Sequence, residues 1–260
     1  MSFTLEDAGV VITGGGAGIG AALARRFSAE GARVLVADLD EQAVTAVADE
    51  VGGVAVAGDA ASESGVARLI SAAKHELGAI DLFCANAGIG PLAGAEAPED
   101  VWARTWDVNV MAHVRAAKLL LPDWLERGRG HFLATVSAAG LLTMLGSAPY
   151  SVTKHGALAF AEWLSATYRH RGITVQALCP QGVRTKMLAD SGAAGDLLMG
   201  ATAIGPEDVA DEVLKALADG RFLVLPHSEV AGFYAARAAQ PDRWLGNMNK
   251  LQQKIEELDE

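Results

Sequence analysis

Cysteine, basic charge and long apolar runs are what this chain has least of. Its two cysteines, Cys84 and Cys179, each sit inside a short apolar run that reads as a strand, so buried free thiols are expected rather than a disulfide framework or a thiolate metal site. Lys and Arg number 21 against 32 Asp and Glu, a formal charge of −11, which argues against nucleic acid or an anionic membrane surface as a partner. No apolar run reaches membrane-spanning length, and residues 1–7 carry acids without a basic segment, so a cytoplasmic protein with no signal peptide is expected. The six histidines lack metal-ligand spacing, and no metal is expected. A G-x-S-x-G elbow is missing too, which disfavours a nucleophilic hydrolase on an α/β sheet. Repeats, linkers and low-complexity tracts are also lacking. What remains is 260 residues, 51% hydrophobic, enough for one large α/β core.

The stretch around which the rest is organised is residues 10–20. Val10, Val11 and Ile12 form a β-branched run suited to a central parallel strand. Gly14, Gly15, Gly16, Gly18 and Gly20 follow, and then a helical pattern of Ile19, Leu23 and Phe27 that ends at Gly31. Glycine serves where φ is positive or where a pyrophosphate must lie on bare backbone, and the first N–H groups of the new helix face that anion. Gly16, Gly18 and Ala21 satisfy the G-x-G-x-x-A dinucleotide fingerprint, and a second apolar strand over residues 33–37 ends in Asp38, where a ribose-binding carboxylate belongs.

Strand and helix then alternate. Helices are expected over residues 41–51, 62–77 with Ser62 as N-cap, 99–127, 150–170 and 206–219. Strands are expected over 54–57, 80–85, 131–136, 173–179 and 222–225. Connections too long for hairpins imply parallel pairing, so the fold class is a single-domain, Rossmann-type doubly wound α/β sheet of about seven strands. Residues 1–227 make the dinucleotide-binding and catalytic part, and 228–260 a helical extension of the same domain. Ligands in such sheets gather at the carboxyl ends of the strands. There stand Thr13, Asp38, Asp59, Asn86, Ser137 and the segment after Cys179.

Tyr150 and Lys154 are four positions apart and share a helix face, and Ser137 ends a strand thirteen positions earlier. A free tyrosine titrates near 10, so acid-base work at neutrality needs about 4 kcal/mol of help. A lysine charge ~4 Å away at an effective dielectric near 20 supplies about that much. The pair is therefore sufficient in principle for proton transfer at a carbinol oxygen, the partner step of hydride transfer to a nicotinamide.

These residues together resemble the short-chain dehydrogenase/reductase family. Thr13-Gly14-x-x-x-Gly18-x-Gly20 matches its cofactor turn, Asn86-Ala87-Gly88 its strand-four motif, and Asn109, Ser137, Tyr150 and Lys154 its catalytic tetrad. The resemblance implies that Tyr150 exchanges the proton with substrate oxygen and that Ser137 orients that oxygen. It implies further that Lys154 lowers the tyrosine pKa and binds the nicotinamide ribose, and that Asn109 holds a relay water. On the same grounds the cofactor is met by Gly14, Gly16, Gly18, Ile19, Gly20, Asp38, Leu39, Asp59, Ala60, Asn86, Ala87, Gly88, Tyr150, Lys154, Pro180, Gly182, Val183 and Thr185. A homotetramer is also implied. Ala60, Ala85 and Gln181 depart from the usual pattern; Gln181 replaces a glycine in the segment over the nicotinamide, where Gly182 is expected to absorb strain and Gln181 to touch substrate.

Charge argues for NAD over NADP. Asp38 accepts hydrogen bonds from ribose hydroxyls but repels a 2′-phosphate, and no basic residue stands at Gly15 or Leu39 to offset it. Residues 186–204 read as a lid, with a hinge at Gly192 to Gly195. Leu142, Met144, Gln181, Met187 and Leu198 are candidate contacts for a lipophilic secondary alcohol or its ketone. In the tail, Pro241 separates two helices, the second with a stripe of Trp244, Met248, Leu251, Ile255 and Leu258. The alternatives are a 3-oxoacyl thioester reductase, which predicts NADPH, and an NAD-sensing protein without turnover.

Overall fold

The computed structural model describes residues 3–257, so Leu258 of the tail stripe lies outside the described residues. The chain runs β1 (Gly9–Thr13), α1 (Gly18–Ala29), β2 (Arg33–Asp38), α2 (Glu41–Val51), β3 (Val54–Ala57), α3 (Glu63–Leu77) and β4 (Leu82–Ala85). It continues through α4 (Glu99–Trp106), a π-helical turn (Asp107–Met111), α5 (Ala112–Arg127), β5 (Gly130–Thr135), α6 (Ala148–Tyr168) and β6 (Ile173–Leu178). The lid helices α7 (Lys186–Ala189) and α8 (Gly192–Met199) come next, then α9 (Pro206–Asp219), β7 (Leu223–Val224), α10 (Glu229–Ala239) and α11 (Pro241–Glu256).

All seven strands pair parallel in the order β3-β2-β1-β4-β5-β6-β7, so the sheet grows outward in both directions from the boundary between β1 and β4. The strand pleat divides the core. Val10, Ile12, Val34, Val36, Leu82 and Cys84 face α1, α2 and α9, whereas Val11, Leu35, Phe83, Phe132 and Val175 face α3, α5 and α6. Both cysteines are buried free thiols. Desolvation pushes Cys179 up to about 12.

Helix ends follow the local chemistry. Ser62 Oγ accepts from Gly65 N at 3.2 Å and caps α3, as expected, while Gly52, Gly128 and Gly220 close α2, α5 and α9 in the left-handed conformation. The expected unbroken helix over 99–127 contains a π turn, and Asn109 sits in it. β7 is shorter than its apolar run.

Pro241 does separate two tail helices, being the first residue of α11. Val230 of α10 is fully buried in the α6-side core, Trp244 packs partly against it, and Ile255 is buried. Val230 and Trp244 thus anchor the two tail helices on the α6-side core. Among the described residues no helix is long and apolar enough to cross a membrane, and no group of three or more His, Cys, Asp or Glu side chains is placed to hold a metal.

Candidate active site

A cavity of about 520 Å³ opens at the carboxyl ends of β1, β4, β5 and β6, across the point where strand order reverses. Its floor is backbone. Gly14 and Gly18 have φ of +65° and +52°, and a Cβ at Gly20 would lie 2.1 Å from Gly14 O, so only glycine lets α1 begin this close to the end of β1. Gly18 and Ile19 line the cavity at the start of α1, where N–H groups have no partner within the helix.

Asp38 lines the same cavity, with Oδ2 accepting from Gly16 N at 3.0 Å and Oδ1 from Asp40 N at 3.2 Å. No cation is paired with it among the described residues.

Asn86 acts as a staple between strand ends. Its Nδ2 donates to Thr13 O and Gly14 O at 3.0 and 3.3 Å, Thr135 Oγ1 donates to its Oδ1 at 3.0 Å, and Thr13 Oγ1 accepts from the Asn86 and Ala87 N–H groups. Its side chain is spent on protein backbone and Thr135, so it shapes the cradle more than it offers a free group.

The four tetrad positions come together. Asn109 is fully buried; it accepts from Ile89 N at 2.9 Å and donates to Ile89 O at 2.9 Å and to Thr153 Oγ1 at 3.0 Å. Lys154 is 2% exposed and donates to Thr135 O at 2.9 Å. A Cβ on Gly88 would lie 3.2 Å from Asn109 Oδ1 and 3.3 Å from Lys154 Nζ, and one on Gly90 would lie 3.2 Å from the Tyr150 ring. The segment after β4 is therefore bare so that the tetrad can close against it. Ser137, Tyr150 and Lys154 all line the cavity.

Lys154 Nζ lies 5.5 Å from the centroid of the Tyr150 ring. Burial pushes Tyr150 up, and the hydroxyl of Ser137 pulls only partly the other way. Burial also lowers Lys154 to about 8.

Other candidate positions do not line the cavity. Leu142 is 8% exposed and belongs to the hydrophobic core, and Leu198 lies off the cavity wall, where Met199 stands instead. Leu39 is 73% exposed and is not among the lining residues. Asp59 and Ala60 lie outside the wall; the Asp59 carboxylate, held by the Ser62 hydroxyl and by Ala61 N and Ser62 N at 2.8 and 3.2 Å, has its pKa lowered by those bonds, the hydroxyl's most of all. Gly16 and Gly20 serve packing rather than lining.

Neither Gln181 nor Gly182 has positive φ, so no strain needs absorbing there. Gly182 gives room: its Cβ would lie 2.8 Å from Met199. Gly192 to Gly195 opens α8 as helix rather than as a loop. Met144, Gln181 and Met187 do line the cavity. Ile89, Leu92 and Ser147 line it too and were not foreseen, and so does Leu188 beside Met187. Their only sequence signal is position, directly after a strand end or inside the lid.

The cradle fits a dinucleotide. It has backbone with no room for Cβ atoms, unpaired N–H groups at a helix start, and a carboxylate at the end of β2.

Comparison with known proteins agrees with this geometry. The short chain dehydrogenase family model matches residues 8–195. A 1-deoxy-11-beta-hydroxypentalenate dehydrogenase of Streptomyces exfoliatus is 38% identical over 86% of this chain and 85% of its own length. The meso-2,3-butanediol dehydrogenase of Serratia marcescens is 31% identical over 92% and 90%. Among solved structures, a short chain dehydrogenase/reductase from Burkholderia phymatum in complex with NAD superposes with a TM-score of 0.85 at 26% identity, covering 92% of this chain and 96% of that one. The chain belongs to the short-chain dehydrogenase/reductase family and is an oxidoreductase acting on CH–OH carbon.

Proposed function

We propose that the protein interconverts a lipophilic secondary alcohol and its ketone with NAD as cofactor. The observation that carries this reading is convergence: the glycine cradle, Asp38, Ser137, Tyr150 and Lys154 all line one cavity. When bound, a nicotinamide ring supplies the hydride acceptor or donor. Tyr150 exchanges a proton with the substrate oxygen, and Ser137 hydrogen-bonds that oxygen and orients it. Burial favours the protonated phenol, the form that donates to a carbonyl oxygen. Asn109 holds the segment after β4 against Lys154 through Ile89.

Asp38 supports NAD over NADP, since a 2′-phosphate would meet an uncompensated carboxylate. Leu92, Met144, Met187, Leu188 and Met199 support a lipophilic substrate, because these side chains offer it apolar surface and no strong hydrogen bond. The Streptomyces relative is named for 1-deoxy-11-beta-hydroxypentalenate, which supports a hydroxylated substrate. Trp106, Val152 and Trp163, 42%, 49% and 54% exposed on α4 and α6, support a homo-oligomer. The test is a panel of lipophilic secondary alcohols with NAD and NADP, followed by nicotinamide absorbance. Turnover with NAD is expected; NAD binding without turnover across the panel would favour a cofactor-sensing protein instead.

A further inference from the structure

Residues 180–182 form the cavity wall next to Tyr150 and Ser137, and they hang between β6 and the lid rather than inside an element. Such a segment holds its shape only if its backbone groups are tied. Two ties are backbone: Ala138 N donates to Pro180 O at 2.8 Å, and Ile204 N to Gly182 O at 3.1 Å, the second continued by a parallel bridge between Val183 and Ile204. The other comes from a side chain. His227, just past β7 and 4% exposed, accepts from Gln181 N at Nδ1, 3.2 Å away, and its Nε2 lies 3.1 Å from Gly182 O.

The two bonds fix the ring chemistry. An N–H pointing at Nδ1 requires that nitrogen to be bare, and a carbonyl facing Nε2 requires that one to carry hydrogen, so the imidazole is neutral and in a single tautomer. A neutral imidazole thus bridges two consecutive peptide groups. Beside it the Gln181 side chain carries an Oε1 that is buried without a partner, in the same cavity wall. No bond from its own side chain holds that residue. Its backbone position rests on the neighbouring ties.

We infer that His227 is a positioning residue for the nicotinamide half of the site, clamping the 180–182 backbone in the shape that admits the ring beside Tyr150. The inference rests on the dinucleotide reading above. The clamp touches neither the glycine cradle nor Asp38, so its loss is felt by one half of the cofactor only.

The experiment compares His227→Ala, His227→Asn and His227→Gln with the wild type by calorimetric titration of NAD and of adenosine monophosphate, alongside kcat and KM. Adenosine monophosphate probes the Asp38 side alone. With two buried hydrogen bonds removed, His227→Ala is expected to weaken NAD about 10- to 30-fold while adenosine monophosphate binds as before. Its kcat should fall by about tenfold or more through misplacement of the reacting groups. Asn offers an acceptor near the Nδ1 position and Gln a donor near the Nε2 position, so each should restore part of the loss. Should the alanine variant fail to fold, the Asn and Gln variants carry the same comparison. An unchanged NAD to adenosine monophosphate affinity ratio in every folded variant overturns the clamp and leaves the dinucleotide reading intact. A wild type that binds neither ligand overturns both.

Discussion

The two walls of the cavity are made of different material. On the β1 side the surface is backbone: glycines that cannot carry a Cβ, the start of α1, and a carboxylate held by two N–H groups. On the lid side it is side chain: Met144, Met187, Leu188 and Met199, with Met187 47% exposed. Backbone geometry leaves one shape, and the ligand it receives is correspondingly narrow in kind. Methionine and leucine adapt their rotamers, and a wall built from them selects for apolarity and size. The first wall is a statement about the cofactor, and the second only a preference about the substrate.

Tyr150 stands where the walls meet, and its removal should have the largest effect. Tyr150→Phe keeps the ring and deletes the proton carrier, so turnover is expected to fall by ~10³ while NAD affinity stays within about twofold. Wild-type turnover in that variant would remove the acid-base role. Next is Gly20→Ala, whose new methyl would lie 2.1 Å from Gly14 O. Backbone cannot swing aside as a side chain does, so the variant should be less stable by about 3 kcal/mol in denaturant titrations and lose NAD affinity. If it folds and binds like the wild type, the backbone wall is less rigid than described.

The backbone wall was legible in the sequence because its chemistry is punctuation. Glycine at 14, 18 and 20 and an acid closing β2 are residue choices that few other structures demand. The strand and helix alternation was legible for a related reason, since buried parallel strands are unbroken apolar runs. The sequence pattern did not reveal the π turn around Asn109, because a one-residue change of helical period leaves the apolar spacing almost unaltered. Nor did it separate Leu142 from Met144, two residues apart: the first turns into the core and the second into the cavity. The burial of Tyr150 and Lys154, which raises the phenol and lowers the ammonium, is likewise something that spacing alone does not report.

Lys154 sharpens the comparison in another way, since a buried ammonium makes the functional wall costly. Burial lowers its pKa from 10.5 to about 8, a penalty of about 3 kcal/mol on the folded state, and losing the bond to Thr135 O takes back about 1 of what removing the charge would gain. Below pH 8 both folded and unfolded chains carry the proton and the penalty is full. Between about 8 and 10.5 the folded chain has shed it and the unfolded chain has not, so stability rises with pH. Lys154→Met should therefore lose activity yet gain about 2 kcal/mol near pH 7, an advantage that shrinks toward pH 10.5. Equal stability of the two proteins at pH 7 would show that the ammonium is better solvated than its burial indicates.

Asp38 tests the cofactor side more gently. Asp38→Ala removes the ribose acceptor and the repulsion toward a 2′-phosphate together, and should narrow the preference for NAD over NADP on the order of tenfold. Unchanged Michaelis constants for both would refute the assignment.

The smallest effect is expected on the adaptable wall. Met187 is 47% exposed, so Met187→Ala should leave thermal stability and NAD affinity as they are. A lipophilic substrate that lies against it loses part of its buried apolar area, and at about 25 cal/mol per Å² a few tens of Å² raises KM severalfold with little change in kcat. Because neighbouring Leu188 and Met199 can shift into the space, the rise should be larger for a compact substrate than for a long one. A fall in kcat instead would mean that Met187 holds the substrate at the reacting carbon, and the lid would then share the narrowness of the glycine wall.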